Sequence, residues 1–397
     1  MSPDGDKRPV GPSSRRIKRR VAAPVHEFFA ATSPGLEPLC RKELLHPPLS
    51  MPDATIVPGG VAFSGKLIDL YRANLHLRTA NRILMRVAAF SATNFRQLER
   101  RLADTDWSLF LPDKLPVGIR VSTRGCRLYH SEAVAQRVKA CLDRALGVSD
   151  PLPDECNTAL FVRCENDRFT ISVDSSGELL HRRGLKAHPA SAPIRETLAA
   201  AILDWSGFDA AAPMIDPMCG SGTFSLEAAT MARQIPPGWY RRFAFESWPA
   251  FRPQQWRHIR KEAESRIREP EKTRIFAGDR DLDALSDLRR CLNSRGLDRS
   301  VALFAGDFFD LRPENIAAGP GLVVLNPPYG RRMNASADGG AFMARVVARL
   351  KRAFCGWKFA LLSPPQLLGT IPFPHQRRHL VHGGLKLKLV AGRIPMR

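Results

Sequence analysis

Apolar and polar positions alternate along this chain in two different rhythms. In the first part, short strands and helices interleave. The stretch "HEFFAATSPGLEPLCRKELL" (26–45) reads as strand, turn and helix: Phe28, Phe29 and Ala30 form the apolar strand, Ser33 caps, Pro34 suits a first helical turn, and Leu36, Leu39 and Leu44 recur near helical spacing. "ATIVPGGVAFSG" (54–65) predicts two strands around a glycine turn. "KLIDLYRANLHLRTA" (66–80) predicts a helix with Leu67, Leu70, Tyr71, Asn74 and Leu77 on one face, and "RILMRVAAF" (82–90) another strand. The order β-α-β-β-α-β is that of a small ferredoxin-like unit over 26–80 and the strand that follows.

A second small α/β unit is expected over 81–180. It has helices at 95–111 and 130–147, a strand at 117–125 and a hairpin at 158–177 turning on Asn166-Asp167. Beyond a link at 178–192 the rhythm changes. A helix over 192–207, with Pro193 near its start and Gly207 past its end, leads into short apolar strands alternating with helices. The strands fall at 213–216, 275–278, 301–305, 322–325 and 358–362, the pattern of a doubly wound parallel sheet. Residues 236–270, rich in Trp, Arg and Pro, read as an insertion. "HLVHGGLKLKLVAGRI" closes the chain as a Gly-Gly hairpin.

Charge adds a partner to this outline. The 397 residues carry a formal net charge of +21, and nucleic acid is the first partner that such an excess suggests; an anionic membrane surface is a weaker second. No apolar run is long enough to span a bilayer. The first twenty residues hold seven Lys/Arg against two Asp and no apolar core of a secretory signal, so residues 1–25 read as a basic tail that can add phosphate contacts. The eight cysteines are scattered without a CxxC pair or zinc spacing, which points to reduced thiols of a cytoplasmic protein and to no metal site.

Four stretches of the parallel-sheet half carry candidate chemistry. In "MIDPMCGSGTFSLEAA" (214–229) a strand ends in Asp216 and a loop with Gly220 and Gly222 opens a helix. The third glycine of a dinucleotide fingerprint and the GK[ST] of a P-loop are both absent. An aspartate here suits an ammonium group, such as that of S-adenosylmethionine, better than a phosphate, although any tight strand-to-helix turn favours glycine. Asp279 and Asp281 follow the next strand, where a carboxylate can accept both ribose hydroxyls or simply cap a helix. Asp307 follows the third strand, placed for an adenine amine with Phe308 against the ring, or as another loop acid. The fourth strand stops at "NPPYG" (326–330). The Asn326 side-chain carbonyl and the Pro327 carbonyl can grip the two hydrogens of one exocyclic amine, and Tyr329 offers a face for the base. Cys219 lies in the first loop, but a thiolate nucleophile has no use for the Asn-Pro-Pro-Tyr set.

Together these stretches resemble the class I S-adenosylmethionine-dependent methyltransferases, in the branch that methylates amines through [N/D]PP[Y/F]. With "GGVAFSG", "YRANLHLRTANRIL", "HSEAVAQRVK", "SVDSSGELLHRRG" and "APIRETLAAAIL", the chain resembles the THUMP-containing RNA methyltransferases over about residues 26–390, and among them the bacterial large-subunit rRNA guanine-N2 methyltransferases. The resemblance implies an α/β protein with an N-terminal ferredoxin-like unit (26–80) plus a THUMP RNA-binding domain (81–180), followed by a Rossmann-like methyltransferase domain (181–397). It implies S-adenosylmethionine held around Asp216, Pro217, Gly220, Gly222, Asp279 and Asp307, and a target amine met by Asn326, Pro327, Pro328 and Tyr329. Asp279 is preferred to Asp281 for the ribose because it directly follows its strand. The implied substrate is rRNA, with tRNA methylation or a non-catalytic role in ribosome assembly as the alternatives. A monomer without metal is expected. Arg182, Arg183, Arg241, Arg242, Arg252 and Arg257 are candidate phosphate contacts. Trp239, Tyr240, Trp248 and Trp256 are expected chiefly to pin the insertion to the methyltransferase domain, with stacking on bases as the alternative.

Overall fold

The computed structural model describes residues 13–112, 117–147, 158–186, 194–270, 272–328 and 337–396. The chain divides into two compact units. The first comprises the chain up to Thr32, Cys40–Leu180 and Arg241–Glu262; the second comprises Ser33–Leu39, His181–Tyr240 and the chain from Ala263 onward.

The first unit is built on one seven-stranded sheet. Its strands are β1 (His26–Thr32), β2 (Thr55–Val57), β3 (Gly60–Gly65), β4 (Ala80–Ser91), β5 (Gly118–Arg124), β6 (Ala159–Glu165) and β7 (Arg168–Asp174), in the order β2-β3-β1-β4-β7-β6-β5. β4 pairs with β1 on one side and β7 on the other, so the two small α/β patterns of the sequence share a single sheet. The turn between β6 and β7 falls on Asn166 and Asp167, both at positive φ, as a two-residue hairpin requires. The helix expected over 95–111 runs only from Phe95 to Ala103. Asn94 caps its start by accepting from Gln97 N, and after Asp104-Thr105-Asp106 the chain re-forms as a short 3₁₀ turn at Trp107–Leu109. Short polar side chains compete with the helical backbone there, and the Trp107 indole N–H donates to the Leu102 carbonyl, which helps to close the helix end.

The segment 241–262 packs into this first unit through its rings. Tyr71 stacks on Phe245 at 4.5 Å between centroids, Trp256 meets Phe245 edge-on at 5.2 Å, and Trp248 meets Phe110 edge-on at 5.9 Å. The Tyr71 hydroxyl accepts from Arg252 N at 3.1 Å. Trp248 and Trp256 are therefore core residues, but of the first unit and not of the parallel-sheet domain whose sequence they interrupt. The Arg241 guanidinium donates to the carbonyls of Ser176, Glu178 and Leu179, a structural use that occupies it without any phosphate.

In the second unit the strands are β8 (Met214–Asp216), β9 (Ile275–Asp279), β10 (Val301–Ala305), β11 (Leu322–Leu325), β12 (Lys358–Ser363), β13 (His375–His382) and β14 (Leu385–Arg393). They lie in the order β10-β9-β8-β11-β12-β14-β13. The first five run parallel and the last two antiparallel. β8 and β11 are buried on both faces, which explains why β11 is apolar throughout and β8 is apolar up to its last residue, Asp216. One face packs on the helices Glu196–Trp205, Thr223–Ala232 and Leu282–Ser294 through Leu198, Ile202, Leu226 and Leu288; the other packs on the helix Ala337–Ala353 through Val346 and Leu350. The chain winds outward through β9 and β10 and then restarts at β11 beside β8. That reversal opens a crevice at the carboxyl ends of the central strands, where ligands of doubly wound sheets bind.

Candidate active site

The site grows from the ends of four neighbouring strands. β8 ends in Asp216, which is 1% exposed. Its Oδ2 accepts from Ser225 Oγ at 2.9 Å, while Oδ1 is buried with no partner. Burial, aided by the Asp279 charge, pushes its carboxyl up to about 7. The loop that follows turns through Gly220 and Gly222, both at positive φ, and a Cβ on Gly222 would meet the Leu288 Cδ1 at 2.5 Å. Glycine at 222 thus satisfies both the backbone and the packing of the helix behind it.

Asp279, at the end of β9, ties the loop to the sheet. Its Oδ2 accepts from Gly220 N at 2.7 Å and its Oδ1 from Asp281 N at 3.0 Å. Each carboxylate oxygen keeps a further lone pair for a ligand. Asp281 also holds the following helix. Its Oδ1 accepts from Asp283 N and Ala284 N, capping the helix Leu282–Ser294. Asp307 follows β10 and accepts from Phe309 N at 2.8 Å. Asn326 follows β11, and its side-chain oxygen is buried without a hydrogen-bond partner among the described residues. A buried orphan acceptor is costly unless something fills it.

These groups border one cavity of about 500 Å³, within the size range of small-ligand and cofactor sites. Pro217, Gly220, Asp279, Asp281, Asp307, Asn326 and Pro328 lie on its wall, as does Phe308. Asp216, Gly222 and Pro327 do not; Asp216 sits behind the wall, under the loop. Tyr329 lies outside the described residues. The cavity also takes Met218 and Phe309 from the strand-end loops, and Phe342 and Arg345, which no strand-end motif marks. The Arg345 guanidinium lies 4.5 Å from the Phe309 ring centroid.

Two further charges support the loop from below. Lys186 Nζ donates to Ser221 Oγ at 3.0 Å and Thr223 Oγ1 at 2.7 Å, with Glu196 at 4.0 Å. Desolvation lowers the Lys186 pKa, opposed by the surrounding carboxylates, Glu196 first. Arg183, a candidate phosphate contact in the sequence, instead pairs with Glu227 at 3.0 Å with both side chains almost fully buried. Burial raises the Cys219 thiol far above its ordinary value, which keeps it from serving as a thiolate nucleophile. Among the described residues no group of His, Cys, Asp and Glu is arranged to hold a metal ion.

The strand order, the crevice at the β8/β11 reversal and the acidic strand ends define a class I methyltransferase fold. Residues 183–371 match the family model described as RMKL-like, methyltransferase domain, and residues 27–84 match that of the RlmL ferredoxin-like domain. That methyltransferase-domain match takes in a little under half of the chain. The ribosomal RNA large subunit methyltransferase K/L of Marinobacter nauticus is 31% identical over 351 residues, which are 85% of this chain and 48% of that protein. The chain thus spans about half the length of the curated relatives it matches. A Listeria monocytogenes protein described as a predicted N6-adenine-specific DNA methylase superposes with a TM-score of 0.80 at 27% identity, covering 93% of this chain and 96% of its own. SMU.472, solved complexed with SAH, gives 0.80 at 26% identity, covering 94% and 98%.

Proposed function

We propose that this chain binds S-adenosylmethionine and methylates an exocyclic amine of a nucleobase in RNA, with N2 of a guanine in large-subunit ribosomal RNA as the target. The observation that carries the reading is the buried, unpartnered side-chain carbonyl of Asn326 on the wall of the strand-end cavity. An acceptor in that state suits an N–H donor brought by a substrate.

The residues present fit the cofactor. Asp279 has lone pairs free for ribose hydroxyls, and Asp307, with Phe308 beside it, suits an adenine amine and ring. The loop 217–222, with the buried carboxylate of Asp216 beneath it, suits the amino-acid end. When bound, S-adenosylmethionine supplies an electrophilic methyl group. The work of the chain itself lies at Asn326 and at the Pro327 carbonyl. Two acceptors on one planar amine hold its lone pair out of the ring system, so the nitrogen becomes nucleophilic without a strong base. Pro328 shapes the turn, and Tyr329 is assigned the stacking face. The first unit, read as ferredoxin-like plus THUMP, would hold the RNA, and the large positive charge of the chain supports an RNA partner.

Adenine N6 is a second reading, since it is also a planar exocyclic amine and the Listeria protein is described in those terms. Nucleoside mass spectrometry on separated rRNA and tRNA, from a strain lacking the gene and complemented with wild type or Asn326→Ala, tests both. The expected result is loss of one N2-methylguanosine from large-subunit rRNA, restored by the wild type alone. Asn326→Ala should slow transfer by about 10²–10³-fold while still binding S-adenosylmethionine. Loss of N6-methyladenosine would move the target. Restoration by Asn326→Ala would sink the amine-grip assignment.

A further inference from the structure

The last strands of the second unit form a hairpin that overhangs the sheet at the edge that carries Asn326. β14 pairs with β12 from Lys358↔Arg393 up to Ser363↔Lys388. Its first three residues, Leu385, Lys386 and Leu387, continue past the end of β12, paired only with His382, Val381 and Leu380 of β13. At about 3.3 Å per residue the overhang is about 10 Å. Leu325, just before Asn326, is level with Leu361 of β12, so the overhang rises on the cavity side of the sheet. β14 lies two strands from β11, a lateral step of about 10 Å.

The two faces of the hairpin differ. Leu380, Leu387 and Leu389 are buried in the core. The register places Arg377, His379, Val381, Lys386 and Lys388 together on the opposite face. Val381 is 50% exposed, and Leu385 at the tip is 54% exposed. Gly383 and Gly384, at φ +56° and +82°, make the tight turn, and His382 Nε2 accepts from Arg195 N at 3.2 Å, which anchors the overhang. From residue 341 to 397 the sequence has eleven Lys/Arg and no Asp or Glu. Among the described residues neither Lys386 nor Lys388 has an acidic partner. Edge protection does not account for them, since lysines that block strand addition belong on the edge strand β13, whereas these lie on β14 between β12 and β13.

We propose that the overhanging β13–β14 hairpin binds the phosphates of the RNA strand that flanks the target nucleotide, with Lys386 and Lys388 as the contacting cations. The inference rests on the RNA reading above. The lateral step and the rise along β14 put Lys388 and Lys386 about 10–15 Å from Asn326, a span that the strand flanking a nucleotide held there can cover. Exposed Val381, directly opposite Lys386, offers apolar contact to sugars.

The test is binding of a fluorescein-labelled stem-loop RNA to the full chain across a salt series. Wild type, Lys386→Gln/Lys388→Gln, and a control of equal charge loss at the opposite edge of the sheet, Lys272→Gln/Arg299→Gln, are compared. Losing two phosphate contacts should lower the slope of log K against log salt by about 1.4–1.8 and weaken binding about 25- to 60-fold at 0.1 M salt. S-adenosylmethionine binding should not change, and the control should lose less than a third as much RNA affinity. An unaltered slope in the hairpin variant overturns the proposal, as does an equal loss in the control. If the wild type itself binds no RNA, the RNA reading of the site falls first and the hairpin proposal falls with it.

Discussion

Asp216 offers a test that separates stability from function. Its carboxyl is 1% exposed, hydrogen-bonded through one oxygen only, and raised by burial from 3.8 to about 7. For a carboxyl with a raised folded pKa, the folded state resists ionising. Well below pH 4 both states are protonated and nothing is lost. As pH rises from about 4 to about 7 the unfolded chain ionises first, and the folded state loses up to about 4 kcal/mol relative to it. Asp216→Asn removes this titration. The asparagine oxygen can keep the Ser225 bond, while its unpaired amide costs about 1–3 kcal/mol at every pH. The variant's stability relative to wild type should therefore climb by about 3 kcal/mol between pH 5 and pH 8. In a domain of this size that is roughly 5–10 °C in Tm. Differential scanning fluorimetry of the ligand-free proteins across that range reads it, with the transition of the second unit followed. The same variant should bind S-adenosylmethionine at least tenfold more weakly, because the buried charge suits the cofactor's cationic end. A Tm difference that stays flat from pH 5 to pH 8 would refute the argument that ionised Asp216 strains the empty fold.

Other perturbations follow from the same contacts. Gly222→Ala places a Cβ against Leu288 at a left-handed backbone position, so it should destabilise the second unit by about 1–3 kcal/mol, read as a lower urea midpoint. Arg183→Ala strands the buried Glu227 carboxylate and should cost about 3–5 kcal/mol; Arg183→Ala/Glu227→Leu should recover much of it, and a double variant no better than the single would count against a simple ion pair. Lys186→Met breaks the two hydroxyl contacts that fix the glycine loop, so KM for S-adenosylmethionine should rise more than kcat falls; a pure kcat loss would place Lys186 elsewhere in the reaction.

Much of the second unit was legible in the sequence because its information is local. The five strands expected at 213–216, 275–278, 301–305, 322–325 and 358–362 form within a residue or so of those bounds, and the Gly-Gly hairpin forms where it was expected. Buried parallel strands must be apolar throughout, and tight turns need glycine, so both leave marks in a short window. The acidic strand ends are equally visible, and Asp279, Asp307 and Asn326 do meet on one cavity wall. The helix beyond Ala103 was misjudged, because its leucine spacing continues across the Asp-Thr-Asp break while the backbone does not.

What the sequence determined by itself is thus the set of elements, the polar residues that close the strands and the glycine loop, which follow from periodicity and backbone sterics. Only the tertiary structure decided that the Trp-rich segment 241–262 joins the first unit, that Arg345 and Phe342 line the cavity, that Asp216 lies behind its wall, and that Lys186 and Arg183 are buried supports. Such outcomes depend on which ring or charge meets which across some 35 to 175 residues of chain. A ring packs on any apolar face of the right shape, and a buried cation needs only an acceptor within reach, so neither leaves a periodic signature where it stands in the chain.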